Sequence, residues 1–104
     1  IGGSMETGSY LLAGESGAAS TFFTTAHGSG RTMSRHHAKK MVQGRKLLDD
    51  MEQRGIHVRT ASYGGLAEEA GLAYKDIDVV ARSTEEAGLS RRVVKLVPIG
   101  NIKG

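Results

Sequence analysis

The sequence predicts an α+β fold, a single small body of mixed strands and helices spanning residues 1–104. Three observations lead to it. Short runs rich in Leu, Thr, Phe or Val, closed by glycines, carry the signature of strands. Two polar residues suited to helix N-caps, Ser34 and Asp76, each precede apolar residues at helical spacing. Hydrophobic residues make up 38% of the chain, with two Phe, three Tyr and no Trp, so the core must be modest and built from Leu, Ile, Val, Ala and Met.

Taken in order, residues 1–8 are Gly-rich and polar and read as a loop. Ser9 to Ala13 reads as a strand closed by Gly14, and Gly14 to Ala19 as a turn. Ser20 to Ala26, rich in Thr and Phe, is expected to form a second strand and a hairpin with the first. Ser34 caps a helix from Arg35, with Ala38, Met41 and Val42 on one face and Leu47, Leu48 and Met51 continuing the stripe. Gly44 predicts a break into two helices, and Gly55 a stop. Ile56 to Thr60 reads as a strand. Ser62 to Tyr74, with Gly-Gly, Glu-Glu and a third Gly, reads as loop and short turns. Asp76 caps a helix with Ile77, Val80, Ala81 and Thr84 on one side, ending near Gly88. Arg91 to Val97 reads as a strand, Pro98 and Gly100 punctuate the tail, and Ile102 is expected to be its last apolar anchor.

Composition narrows the function classes. With no Cys there is no disulfide and no thiolate metal site from this chain. No apolar run approaches membrane-spanning length, and the N-terminus lacks a signal-peptide pattern. A cytoplasmic protein without a membrane partner is expected. The chain begins at Ile1, not Met, so a segment upstream is expected too. The net charge is +3 and the pI about 9.5. From Arg31 to Lys46 there are six cations (Arg31, Arg35, Lys39, Lys40, Arg45, Lys46) and no acid. Charge alone favours a solvated helix face over a phosphate-facing surface there.

The most informative stretch runs from Phe22 to Arg35. His27-Gly28-Ser29-Gly30-Arg31 is a Gly-rich loop ahead of a capped helix. Glycines let backbone approach phosphate oxygens, and free N–H groups favour an anion. Arg31 and Arg35, four apart, can point at one oxyanion. A neutral imidazole such as that of His27 can attack phosphorus and give a phosphoramidate. A histidine after a strand is also commonly an ordinary loop residue, and the loop is neither a Walker A motif nor a dinucleotide fingerprint.

The residues resemble the C-terminal end of the RtcB RNA ligases. The matching elements are Gly3-Ser4-Met5 with Ser9-Tyr10, His27 to Arg31 with Met33-Ser34-Arg35, Arg54-Gly55-Ile56, Glu68-Glu69-Ala70, Ala73-Tyr74-Lys75-Asp76, and Pro98-Ile99-Gly100 closing with Lys103-Gly104. They run in order and cover essentially the whole chain. The resemblance implies a GTP-dependent ligase that joins RNA 3′-phosphate or 2′,3′-cyclic phosphate ends to 5′-hydroxyls, in tRNA splicing or RNA repair. It implies guanylylation of His27, nucleotide contacts from Ser4, Ser9, His27, Gly28, Ser29, Gly30, Tyr74 and Lys103, and phosphate or RNA contacts from Arg31 and Arg35. It implies GTP and manganese, with the metal ligands upstream of Ile1 and none in this chain. The expected partners are RNA (tRNA halves or broken RNA), the upstream portion of the same enzyme, and an archease-type activator. For Lys103, the neighbours Val97, Ile99 and Ile102 are expected to anchor the tail.

Two positions depart from the family pattern. Glu6 stands where Gly is usual, and a carboxylate near a triphosphate must point away or weaken binding. Ser29 stands where Ala is common and can add a hydrogen bond. The alternatives to a ligase fragment are a non-catalytic nucleotide- or RNA-binding module and a silent structural domain.

Overall fold

The computed structural model describes residues 1–104. In order, its elements are β1 (Ser9–Gly14), α1 (Arg35–Met41), α2 (Gly44–Gln53), β2 (His57–Thr60), α3 (Tyr63–Glu68), α4 (Ile77–Glu86), β3 (Ser90–Leu96) and β4 (Gly100–Lys103). Helices and two separate two-stranded sheets make this the α+β class expected. The expected hairpin is absent. β1 pairs antiparallel with β3, Ser9 opposite Leu96 and Gly14 opposite Ser90. Ser16–Thr21 is instead a 3₁₀ turn, and Phe22 and Phe23 follow with φ of 56° and 58°. Two successive left-handed residues cannot continue a strand. The threonines satisfy local backbone rather than a sheet: Thr21 Oγ1 donates to the Thr24 carbonyl at 2.7 Å, and Thr24 Oγ1 to the Thr21 carbonyl at 2.6 Å.

The helix signals behave as read. Ser34 Oγ accepts from His37 N at 3.1 Å, and Asp76 Oδ1 from Asp78 N at 2.8 Å. The helical pattern breaks between Met41 and Gly44, and Gly55 ends α2 with φ +78°. One segment read as loop is helical: Tyr63–Glu68 forms α3, and Gly71–Ala73 a 3₁₀ turn. Ser62 Oγ caps α3 by accepting from Gly65 N at 3.0 Å. Leu66 and Ala67 are buried, so packing overrides the poor helix propensity of Gly64 and Gly65.

Met5, Leu47, Met51, Ile56, Val58, Leu66 and Ala70 form the main core, with Val42 and Leu48 packed against it. On the other sheet, α4 turns Ile77, Ala81 and Thr84 inward, and Ser90 Oγ donates to Thr84 Oγ1 at 3.0 Å. Among the segments that run between the halves are two connectors, residues 1–8 and residues 69–76. The radius of gyration, 15.1 Å, exceeds the ~13 Å of a compact chain of this length, as two small halves require.

The tail is held by backbone, not by apolar anchors. Val97, Ile99 and Ile102 are 71%, 77% and 88% exposed. β4 instead adds in parallel to β2, with Val58 opposite Asn101 and Thr60 opposite Lys103. That pairing satisfies the main chain of the tail and frees Ile102 from any packing role.

Gly44 marks where α2 and α3 touch. A Cβ there would lie 2.0 Å from the Tyr63 carbonyl oxygen. Helix propensity alone makes Gly→Ala stabilising by about 1 kcal/mol. Here the clash reverses the sign: Gly44→Ala should lower stability by about 1–3 kcal/mol, read as a lower urea midpoint. Ile102→Ala in the same assay should change stability by no more than about 0.5 kcal/mol.

Candidate nucleotide and phosphate site

The loop from His27 to Thr32 is threaded between the two connectors and bonded to both. On one edge, Gly2 N donates to the His27 carbonyl at 3.2 Å and Ser29 N to the Gly2 carbonyl at 2.8 Å. On the other, Lys75 N donates to the Gly30 carbonyl at 2.9 Å and Thr32 N to the Ala73 carbonyl at 2.8 Å, around an Arg31–Tyr74 bridge. The loop thus lacks regular structure without being loose. Gly30 adopts φ +76°, where a side chain would be strained. The N–H groups of Gly28, Gly30 and Arg31 donate to no protein acceptor. The His27 side chain is exposed and makes no hydrogen bond or ion pair. Ser29 is buried and its Oγ has no partner, so the hydroxyl does not add the hydrogen bond expected of it.

Ser9 reaches the same loop through Gly2, which bridges Ser9 on one side and Gly28 on the other, and Ser4 follows two residues after Gly2 in the chain. Ser4 is buried; its Oγ lies 3.0 Å from Thr7 Oγ1 and accepts from Glu6 N at 3.2 Å. Glu6 does point into protein. Arg54 Nη2 donates to its Oε1 at 2.6 Å and Gly71 N to its Oε2 at 2.5 Å. Its charge is therefore compensated by a cation and ties the Ser4 turn to the second connector.

Arg31 and Arg35 do converge on one oxyanion, and it is a carboxylate of this chain. Arg35 Nε donates to Glu69 Oε1 at 3.0 Å, and Arg31 Nη1 lies 3.5 Å from the same oxygen. Arg31 also donates from Nε to the Met33 carbonyl at 3.1 Å, from Nη1 to Tyr74 Oη at 3.0 Å, and from Nη2 to the Glu68 carbonyl at 2.6 Å. Its guanidinium sits 4.8 Å from the Tyr74 ring centroid. The Tyr74 hydroxyl donates to Glu69 Oε2. Partial burial opposes ionisation of Glu69, but the Tyr74 hydroxyl, Arg35 and Arg31 outweigh it and hold the carboxyl below its ordinary value. Burial, then the hydrogen bond to Glu69 and its charge, raise the Tyr74 phenol above its own. The Glu69 hydrogen bond and charge raise Arg35.

The cation run resolves into paired and unpaired members. Arg31, Arg35, Lys39 and Arg45 meet Glu69, Glu69, Glu68 and Asp49, while Lys40 and Lys46 have no acidic partner. Sequence reading missed Glu68, Glu69 and Arg54 as partners. The contacts of Glu69 with the two arginines and of Glu6 with Arg54 span 34 or more residues, beyond any local spacing rule. Lys103 is half-buried on the same face of β4 as Asn101, whose Nδ2 donates to the Met5 carbonyl at 3.1 Å. No hydrogen bond or ion pair joins the Lys103 side chain to the Ser4 turn. No three His, Asp or Glu side chains converge in a metal-ligating group. His36 and His37 are exposed on the first turn of α1, and His57 is exposed beside Glu52. These residues do not fit a manganese site. No helix is long and apolar enough to cross a membrane.

The family described as tRNA-splicing ligase RtcB matches residues 1–104. The chain is 47% identical over 104 residues to an RNA-splicing ligase RtcB of Mycobacterium bovis, and 50% and 48% identical over 105 residues to tRNA-splicing ligases RtcB of Methanopyrus kandleri and Pyrococcus furiosus. In each case the whole chain is aligned, and it spans 24%, 11% and 11% of the relative's length. With the match running from the first residue to the last, the chain belongs to the RtcB family of RNA-splicing ligases.

Proposed function

We propose that this chain carries the nucleotide-accepting histidine and the phosphate cradle of a GTP-dependent RNA ligase. The observation that supports it most is the free, exposed imidazole of His27 beside three backbone N–H groups with no protein acceptor. Such donors, fixed in a loop bonded on both edges, stabilise charge on phosphate oxygens without reorganising. The proposed chemistry begins with GTP. A lone pair of His27 attacks the α-phosphorus, the bond to the β-phosphate oxygen breaks, and pyrophosphate leaves with the electron pair. An RNA 3′-phosphate oxygen then attacks that phosphorus, the P–N bond breaks, and the imidazole is restored. Last, an RNA 5′-hydroxyl attacks the activated 3′-phosphate, loses its proton, and GMP leaves. A 2′,3′-cyclic phosphate is first opened by water to the 3′-phosphate. Ser4, Ser9, Tyr74 and Lys103 orient the nucleotide in this reading, and Arg31 and Arg35 supply positive charge for phosphate. Manganese, where bound, would neutralise the leaving pyrophosphate, and its ligands would come from outside this chain.

In the full-length protein, His27→Ala should abolish a GMP adduct formed from GTP and manganese, and His27→Gln should fail equally, because an amide is not a nucleophile. Intact-mass measurement with peptide mapping reads the result; the adduct should be acid-labile and base-stable. An adduct on a lysine, or one that persists in His27→Ala, would refute the assignment. The 104-residue chain alone should join no RNA ends with GTP and manganese, since its residues form no metal-ligating group.

The two arginines should separate from each other. Arg35→Ala should weaken RNA binding well beyond Lys40→Ala, with the difference shrinking as salt rises. Arg31→Ala should also lower the unfolding midpoint, by about 1–3 kcal/mol in stability, because three of its nitrogens serve protein acceptors. Equal, negligible effects on RNA binding for all three variants would favour a solvated face.

A further inference from the structure

We propose that Glu69 is a positioning residue of this site, one that holds Arg35 by its inner nitrogen and thereby presents the outer edge of that guanidinium to the terminal phosphate of RNA. The proposal rests on the ligase reading above. Arg35 stands on the first turn of α1 with its side chain 65% exposed. Unheld, so long a side chain would sample many rotamers in water. Only Nε is engaged, with Glu69 Oε1 at 3.0 Å, and neither terminal nitrogen has a protein partner. A guanidinium fixed on one side and open on the other is preorganised for a second, planar, two-oxygen contact. Arg31 is the opposite case. Its Nε, Nη1 and Nη2 all serve protein acceptors, so it builds the site.

Glu69 is fixed independently of Arg35. Its second oxygen accepts from the Tyr74 hydroxyl, and Arg31 both donates to Tyr74 and lies 3.5 Å from Oε1. Arg31 in turn bridges Tyr74 through backbone in the loop that carries His27. The position of Arg35 is thereby tied to that loop. The neighbouring acid cannot substitute, because Glu68 is occupied by Lys39 at 2.6 Å. The charge arithmetic also fits. Two guanidinium groups and one carboxylate leave a net positive charge, so an incoming phosphate is attracted although Arg35 is already paired.

The test uses the full-length protein and follows two readouts, the GMP adduct on His27 and the KM for RNA 3′-phosphate ends in sealing. Glu69→Ala should raise that KM about tenfold, a coupling within the usual range for residues in one network. Glu69→Gln keeps an acceptor of the same length and should raise it about threefold, since a neutral partner holds an arginine less firmly than a carboxylate. The double variant Glu69→Ala with Arg35→Ala should be no worse than Arg35→Ala alone, because Glu69 acts through Arg35. A merely structural role would instead lower the unfolding midpoint and leave KM unchanged. If Glu69→Ala does not fold, Glu69→Gln decides. A wild-type KM in the folded variants, or additivity in the double variant, overturns the proposal while the wild-type protein still forms adduct and seals RNA. A wild-type protein that does neither overturns the ligase reading and this proposal with it.

Discussion

The site depends on one constraint, that the backbone of residues 27–32 is bonded on both edges. Gly2 holds one side and Ala73 with Lys75 the other, so a glycine-rich segment behaves like the middle strand of a small irregular sheet. A freely moving loop would offer N–H groups to a phosphate only after losing conformational entropy. Here most of that ordering is achieved in folding. The pairing also explains Gly30, which takes a left-handed φ that leaves its carbonyl facing Lys75 N while its own N–H stays free.

Charge organises the side chains around that backbone. The same loop brings in Arg31, and like charges packed this closely repel unless acids lie between them. Glu69 and Glu68 resolve this by taking fixed partners, Arg31 and Arg35 for one and Lys39 for the other. Glu6 is the counterpart at the far end of the Ser4 turn, neutralised by Arg54. Each acid close to the cradle is thus matched by a cation, and the field an incoming anion meets remains positive.

Much of the fold could be read from residues, and the failures have physical causes. Ser34 and Asp76 act through a side-chain oxygen on a backbone N–H two or three residues on, and Gly55 through its own φ, so their effect is visible in a few neighbouring letters. Phe22 and Phe23 have strand propensity but sit at positive φ, because the threonines beside them bond locally; propensity was outweighed by chemistry two residues away. α3 is the reverse, with weak local signals overridden by the burial of Leu66 and Ala67. Ile102 shows the limit of hydropathy, since the tail is held by parallel pairing with β2 and its apolar side chains stay outside. In the site, the arginine spacing correctly foretold convergence on an oxyanion. That the oxyanion is Glu69 depends on a contact 34 residues away.

The relay from Asn101 to the Met5 carbonyl joins residues 96 positions apart. During synthesis the Ser4 turn therefore leaves the ribosome before Arg54 and Gly71, which hold Glu6, and long before Asn101. The helices from α1 to α3 and the strand between them have near neighbours and can settle as they emerge. The turn that carries Ser4 and Met5 completes its contacts only after β4 has been made. A nascent chain stalled before Asn101 would hold a folded helical core and a Ser4 turn tied through Glu6, but would lack the hydrogen bond from Asn101 to the Met5 carbonyl.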